Sequence, residues 1–173
     1  MPRESILVVD DELDIRELCT FVLESEGYQV ETAENGKEAI EKAKAKKFDL
    51  LLTDIRMPGL DGLETAKAIK EFQPEILCVI ITGYGSMDMA LKAIKLGVQG
   101  FLLKPFDSEE LIQVVGRALE MERLRRENIR LRALMPLFEL SRIIMATLDP
   151  PTLRRQLLEV ARESLAALWA CLA

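Results

Sequence analysis

Histidine is absent from the 173 residues of this chain, and cysteine occurs three times. The lack of histidine excludes a histidine general base, a histidine metal ligand and a histidine phosphodonor on this chain. The cysteines, Cys19, Cys78 and Cys171, lie far apart in apolar or helical surroundings and match no metal-ligand spacing. They predict reduced, buried thiols, which are typical of a cytosolic protein.

The sequence also lacks long apolar runs and an excess of positive charge. No apolar stretch approaches the roughly 20 residues of a membrane span, so we expect no membrane association. The opening "MPRES" leads directly into "ILVVD", so we expect no secretory leader and a cytoplasmic location. The net charge of −6 argues against a general nucleic-acid binder. With 49% hydrophobic and 30% charged residues, the chain has the composition of a globular domain plus a smaller part.

Apolar runs and helical patterns alternate along the first two thirds of the chain. The intervening segments carry apolar residues at helical spacing, such as Ile15, Leu18 and Phe21 or Val22, and a long helix is predicted to begin near Ser108. Such β–α units with short connections predict a doubly wound α/β fold, with a parallel sheet and helices on both faces. The predicted strands are "SILVVD", "YQVETA", "FDLLLTD", "EILCVIIT" and "GFLLK".

Polar side chains follow the carboxyl ends of these strands, where doubly wound folds bind ligands. A single acidic residue there can cap the next helix, but capping does not explain several carboxylates, a hydroxyl and an ammonium at one edge. Clustered carboxylates repel each other unless a cation lies among them, and oxygen ligands without histidine or cysteine favour Mg²⁺. The residues are Asp10, Asp11 and Glu12 after the first strand, Asp54 after the third, Thr82 after the fourth and Lys104 after the fifth.

Asp54 has the surroundings of a nucleophile for phosphorus. A carboxylate beside Mg²⁺ can attack a phosphoryl group, and the metal and Lys104 would neutralise charge on the phosphoryl oxygens. Thr82 offers a hydroxyl that could orient one of these oxygens. The turn after Asp54, "MPGLDG", contains one proline and two glycines, which favour a tight loop.

Four motifs together resemble the receiver domain of two-component response regulators: "VVDDE", "LLTDIRMPGLDG", "IITGYGS" and "FLLKPF". The resemblance covers about residues 4 to 120, and "TGYGS" is most similar to receivers of the nitrogen-regulator type. It implies a flavodoxin-like (βα)5 fold. It also implies that Asp54 accepts a phosphoryl group from a sensor histidine kinase and that the protein then switches conformation to control an output or dimerisation.

The resemblance also implies roles for the other site residues. Mg²⁺ would be bound by Asp11, Asp54 and the backbone carbonyl of Arg56, with Asp10 contributing through water. Thr82 and Lys104 would contact the phosphoryl group. Thr82 and Phe101 would form the switch, and Phe101 matches a position that is often tyrosine in this family. Phe101 could equally be a core strand residue.

A receiver is a signalling domain rather than an enzyme, and its chemistry is limited to its own phosphorylation and slow autodephosphorylation. One alternative is an aspartate-nucleophile phosphatase, but those enzymes place the nucleophile after the first strand. Another is a flavin-binding flavodoxin-like module, whose first loop must bind a phosphate that "DDELD" would repel.

The sequence that follows the predicted receiver has the pattern of helices. We divide the chain into a receiver at 1–120, a coiled-coil linker helix at 118–138 and a helical extension at 137–173. The extension resembles the leading helices of GAF domains, is divided by Asp149-Pro150-Pro151, and ends before any GAF sheet. The linker arginines alternate with glutamates and lack accompanying aromatic residues, so we expect no direct nucleic-acid binding.

A heptad pattern in the linker predicts a parallel homodimer. The a and d positions are apolar except for Asn128, and one asparagine at an a position favours two strands in a fixed register. Glu120 with Arg125, and Glu127 with Arg132, have the spacing of g–e pairs between parallel helices. A lone amphipathic helix packed on its own chain is the alternative. The a and d residues are Met121, Leu124, Asn128, Leu131, Met135 and Phe138.

Overall fold

The computed structural model describes residues 4–83, 93, 95–146, 155 and 158–165. The chain forms two compact units, Met1–Met121 and Glu122–Ala173. The predicted break at Asp149-Pro150-Pro151 and Cys171 lie outside the described residues. The division at 1–120, 118–138 and 137–173 stays a prediction. None of the helices in the described part combines the length and the apolar character needed to cross a membrane.

The first unit has the predicted doubly wound α/β fold, with a parallel sheet in the order β2-β1-β3-β4-β5. This is the flavodoxin-like order, in which the chain reverses its direction of winding between β1 and β3. The strands are β1 (Ser5–Val9), β2 (Gln29–Ala33), β3 (Leu50–Asp54), β4 (Leu77–Thr82) and β5 (Gly100–Leu103). The helices are α1 (Leu13–Ser25), α2 (Gly36–Ala45), α3 (Gly62–Phe72) and α4 (Ser108–Ala146).

Alternation along the strands divides the core into two layers. In β1, Leu7 and Val9 pack with α2 and α3 on one face, whereas Ile6 and Val8 pack with α1 and the start of α4 on the other. All five residues of β1 and of β3 are buried, as expected for central parallel strands covered by helices on both faces. The two layers hold β1 and β3 rigidly side by side.

The buried face of α1 differs in part from the prediction. Val22 is buried with Cys19 and Leu23, but Phe21 is 76% exposed and Leu18 is also exposed. Phe21 and Val22 are adjacent, so they point about 100° apart on a helix and only one can face the sheet. The helix is followed by Gly27, which has a φ of 93° and whose N–H donates to the carbonyl of Glu24.

The long helix α4 contains Pro136 and continues beyond it to Ala146. Proline removes one backbone hydrogen bond from a helix interior. The flanking leucine, methionine, alanine and arginine residues are strong helix formers, which favour continuation of the helix on both sides.

We predict that Gly62→Ala destabilises the protein by about 1–3 kcal/mol, a usual cost of overpacking. A Cβ atom at Gly62 would lie 2.0 Å from the carbonyl oxygen of Asp54, which is part of the central strand and cannot move away. Gly116→Ala is the matched control. A Cβ atom there meets nothing within 4 Å, so that variant should gain up to about 1 kcal/mol of helix propensity. Urea unfolding followed by circular dichroism measures both, and equal midpoints for the two variants would contradict the prediction.

Candidate functional site

Three carboxylates meet at the carboxyl ends of the two central strands. Asp10 follows β1, and Asp54 is the last residue of β3, which pairs with β1 through Val9 and Thr53. Ligand oxygens of Asp10, Asp11 and Asp54 all lie within 4.8 Å of one another. Asp10 and Asp54 are buried and Asp11 is exposed. The cluster therefore lies at the base of an open edge, where a small molecule can reach Asp54.

The loop that carries the first two carboxylates is held by its own backbone. Nη1 of Arg16 donates hydrogen bonds to the carbonyl oxygens of Asp10, at 2.7 Å, and Asp11, at 3.1 Å. The N–H of Glu12 donates to Oδ1 of Asp10 at 2.9 Å. These bonds fix the direction in which the two aspartates leave β1.

Lys104 supplies the positive charge of the site. Its Nζ lies 2.9 Å from Oδ2 of Asp10, 2.8 Å from Oε1 of Glu12 and 3.6 Å from Oδ2 of Asp54. The backbone holds Lys104 in this place, because its N–H donates to the carbonyl of Thr82 at 2.8 Å and so extends the pairing of β5 with β4. One ammonium thus balances part of the charge of three carboxylates.

Burial and charge pull the pKa values of the site in opposite directions. Burial raises the pKa of the Asp54 carboxyl above its usual value, and the nearby Lys104 lowers it by less. The N–H of Ile55, which donates to Oδ1 of Asp54 at 2.8 Å, also favours the carboxylate without outweighing burial. Burial alone would lower the pKa of Lys104, but its bonds to Asp10 and Glu12 raise that pKa above the usual value. Lys104 therefore stays positively charged, whereas burial disfavours the ionised form of Asp54.

The cluster has the properties of a site for a hard cation. Oδ2 of Asp10 is fully buried and has no hydrogen bond of good geometry among the described residues, although Lys104 lies 2.9 Å away. A buried carboxylate oxygen without a proper donor is expensive unless a cation completes its surroundings. The grouped ligands of Asp10, Asp11 and Asp54 are all oxygens, as Mg²⁺ requires. The residues therefore fit a divalent cation such as Mg²⁺.

Three further predicted site residues, Thr82, Arg56 and Phe101, follow the other strands or lie on them. Thr82 is buried at the end of β4, beside Lys104. Arg56 is exposed in the loop after β3, and its N–H donates to the Asp54 carboxylate. Phe101 lies on β5, where it is paired with Ile80 and 38% exposed, so the expectation of a core strand residue is wrong.

The sequence does not predict two contacts of the site, those made by Glu12 and by Arg16. The sequence places Glu12 among the acidic residues at this edge without assigning it a role, and it gives no signal for Arg16. The bond from Lys104 to Glu12 joins residues 92 positions apart, so no local pattern could predict it. Arg16 acts on backbone carbonyls, which carry no sequence signal.

A five-stranded sheet in this order, with carboxylates after β1 and β3 and a lysine after β5, defines a class of phosphoacceptor signalling domains. The family model of the response regulator receiver domain matches residues 6–116 of the chain. The chain therefore belongs to the response regulator receiver domain family of two-component systems. The match favours a receiver over the phosphatase and the flavin-binding module that the sequence had left as alternatives.

Several individual response regulators are similar to this chain. Transcriptional regulatory protein ZraR of Klebsiella oxytoca is 44% identical over 119 residues, which are 69% of this chain and 27% of that protein. Sporulation initiation phosphotransferase F of Bacillus subtilis is 38% identical over 122 residues, or 70% of this chain and 98% of that protein. The crystal structure of NtrX from Brucella abortus superposes with a TM-score of 0.72 at 39% identity, over 77% of this chain and 30% of that one. The chain thus spans little more than a quarter of the length of ZraR.

We predict that Asp54→Asn stabilises the metal-free protein at pH 7. Because the folded-state pKa of Asp54 is raised, its charge opposes folding above that pKa, and the penalty disappears as the pH falls towards the unfolded value near 4. In EDTA the variant should melt a few degrees higher, as about 1 kcal/mol shifts the Tm of a chain this size by roughly 2–4 °C. The gain should shrink at pH 4. The exposed Asp14→Asn serves as control and should leave the Tm unchanged at both pH values; a lower Tm for Asp54→Asn would mean that Lys104 outweighs burial.

Proposed function

We propose that the chain accepts a phosphoryl group on Asp54 from a sensor histidine kinase. The observation that carries the proposal is the placement of Asp54 within 4.8 Å of two further aspartates and 3.6 Å from Lys104. An Asp54 oxygen would supply the electron pair of the new P–O bond. The bond from phosphorus to the donor breaks, and its electron pair leaves with the donor. For a histidine kinase this donor is a phosphohistidine, which the chain itself cannot supply because it has no histidine.

Mg²⁺ would be held by Asp11, Asp54 and the backbone carbonyl of Arg56, with Asp10 acting through water. When bound, the ion neutralises charge on the phosphoryl oxygens and on the carboxylates. The buried oxygen of Asp10, which lacks a well-directed hydrogen-bond donor, and the close approach of the three aspartates support this assignment. Removing the side-chain charge of Asp11, the exposed member of the group, should weaken metal binding without emptying the core of a buried group.

The side chains around Asp54 have separate tasks in this proposal. Lys104 brings a permanent positive charge to the phosphoryl oxygens, and Thr82 offers a hydroxyl to one of them. Contact of Thr82 with the phosphoryl group then acts as the switch, and Phe101 repacks in response. Such a switch shifts the balance between two conformations rather than creating a new fold. Slow hydrolysis of its own aspartyl phosphate returns the domain to the resting state, so the phosphoryl group acts as a signal rather than as a substrate to be turned over.

We predict that the wild-type protein gains one phosphoryl group from acetyl phosphate with Mg²⁺ and that Asp54→Ala gains none. EDTA should abolish the gain in the wild type, because the charge of the cluster would then repel the phosphate. Asp14→Asn, which removes an exposed carboxylate in the first turn of α1, should be phosphorylated like the wild type. Intact-mass spectrometry measures all three, and equal phosphorylation of Asp54→Ala would remove Asp54 as the acceptor.

We further propose that the linker, 118–138, forms a parallel homodimer. The apolar a and d residues of the predicted seam are all more than half exposed on α4. Five large apolar side chains in helical register, open to water, favour burial against an equivalent surface. These residues are Met121, Leu124, Leu131, Met135 and Phe138.

Charge along the linker is compatible with that partner. In the single chain, Arg125 Nε lies 2.7 Å and Arg126 Nε 2.8 Å from carboxylate oxygens of Glu122. The proposed pairs of Glu120 with Arg125 and of Glu127 with Arg132 would add to these in a dimer. Exposed pairs contribute only about 0–1 kcal/mol each, so they set orientation more than affinity. About two and a half heptads form a short coiled coil, so the attached domains must contribute to association.

We predict that the wild type sediments as a dimer and that Leu124→Asp/Leu131→Asp sediments as a monomer. Each aspartate would place a charge in the apolar seam, which is strongly unfavourable without a partner charge. Ala133→Asp is the matched control, since Ala133 is exposed on α4 at the f position, opposite the seam. Analytical ultracentrifugation distinguishes the species. A wild type that is monomeric at all concentrations, or a dimer that both seam charges leave intact, would rule out the coiled coil.

A further inference from the structure

The ammonium of Lys104 is closer to Glu12 than to the proposed acceptor. Nζ lies 2.8 Å from Oε1 of Glu12 and 3.6 Å from Oδ2 of Asp54. A phosphoryl group on Asp54 would need the same ammonium. Lys104 is only 16% exposed and is held by its backbone, whereas Glu12 is 63% exposed and can turn away into water.

Glu12 is at a position where a side chain usually caps a helix. It is the N-cap residue of α1, and N-cap side chains commonly accept hydrogen bonds from the first turn of their own helix. Its side chain makes no such bond. The side chain extends across the site to Lys104 instead, and this contact lowers the pKa of the Glu12 carboxyl. A capping role therefore does not account for the conformation of Glu12.

We propose that Glu12 competes with the phosphoryl group for Lys104 and so slows phosphorylation of Asp54. This inference rests on the proposed function. Glu12 stabilises the resting state, in which Lys104 bonds to it, but not the transition state or the phosphorylated state, in which Lys104 has moved to the phosphoryl oxygens. Asp10 stays beside Lys104 in every state because it is buried. Glu12 is thus a positioning residue that acts through Lys104.

The two directions of the reaction should respond differently. Loss of the Glu12 contact raises the energy of the resting state alone, so phosphorylation by acetyl phosphate should become roughly two- to fivefold faster, the range expected for one exposed ion pair. Autodephosphorylation starts from the phosphorylated state, in which Glu12 is already released. Its rate should not change.

Two substitutions separate the contact from the charge. Glu12→Gln removes the charge and with it the ion pair, leaving only a neutral amide oxygen near Lys104, whereas Glu12→Asp keeps the charge on a side chain one methylene shorter, which draws the carboxylate away from Lys104. Asp14→Asn removes a nearby exposed charge that is not among the ion-pair partners of Lys104. Rates are measured by intact-mass spectrometry on the full chain at Mg²⁺ concentrations shown by titration to saturate each variant. A lysine-selective NMR spectrum of the metal-free protein reports the Lys104 ammonium directly.

Competition predicts faster phosphorylation and unchanged dephosphorylation in both Glu12 variants, together with a shifted Lys104 signal, and no change in Asp14→Asn. Slower phosphorylation in both Glu12 variants would show that Glu12 orients Lys104 productively, and unchanged rates would show that the contact has no kinetic effect; either result overturns the inference alone. Faster phosphorylation in Glu12→Gln and Asp14→Asn but not in Glu12→Asp would assign the effect to net charge and overturn it too. A wild type that takes up no phosphoryl group overturns the proposed function and the inference together.

Discussion

Electrostatic balance between the three aspartates and Lys104 is the constraint on which the other features of the site depend. The pairing of β1 with β3 forces Asp10 and Asp54 together, and burial makes their charges expensive. One partly buried ammonium offsets part of this cost, and an oxygen of Asp10 still lacks a well-directed donor. The domain therefore folds with a site whose electrostatic cost a divalent cation would reduce.

Rigid elements hold this costly arrangement in place. The core layers on the two faces of the sheet fix β1 and β3, and Arg16 secures the loop that carries Asp10 and Asp11. Gly62 lets α3 begin against the carbonyl of Asp54, where any larger residue would collide. The packed core thus offsets the unfavourable charges at one edge of the sheet, as is common for functional sites.

Membership of the receiver family settles the class of the first unit, whereas the described residues of the second unit are helical. The exposed apolar residues of α4 are the basis for the proposed association with a second copy of the chain. Relatives such as ZraR are far longer than the stretch they share with this chain.

Sequence by itself determined the strands, the parallel fold and the aspartates at its edge, because apolar periodicity and residues at strand ends are local signals. The choice of Val22 over Phe21 for the core was decided by tertiary packing. The position of β5, which carries the exposed Phe101, at the edge of the sheet depends on strand order. The bond between Glu12 and Lys104 joins the first and last strand ends, so only the folded chain could bring these two charges together.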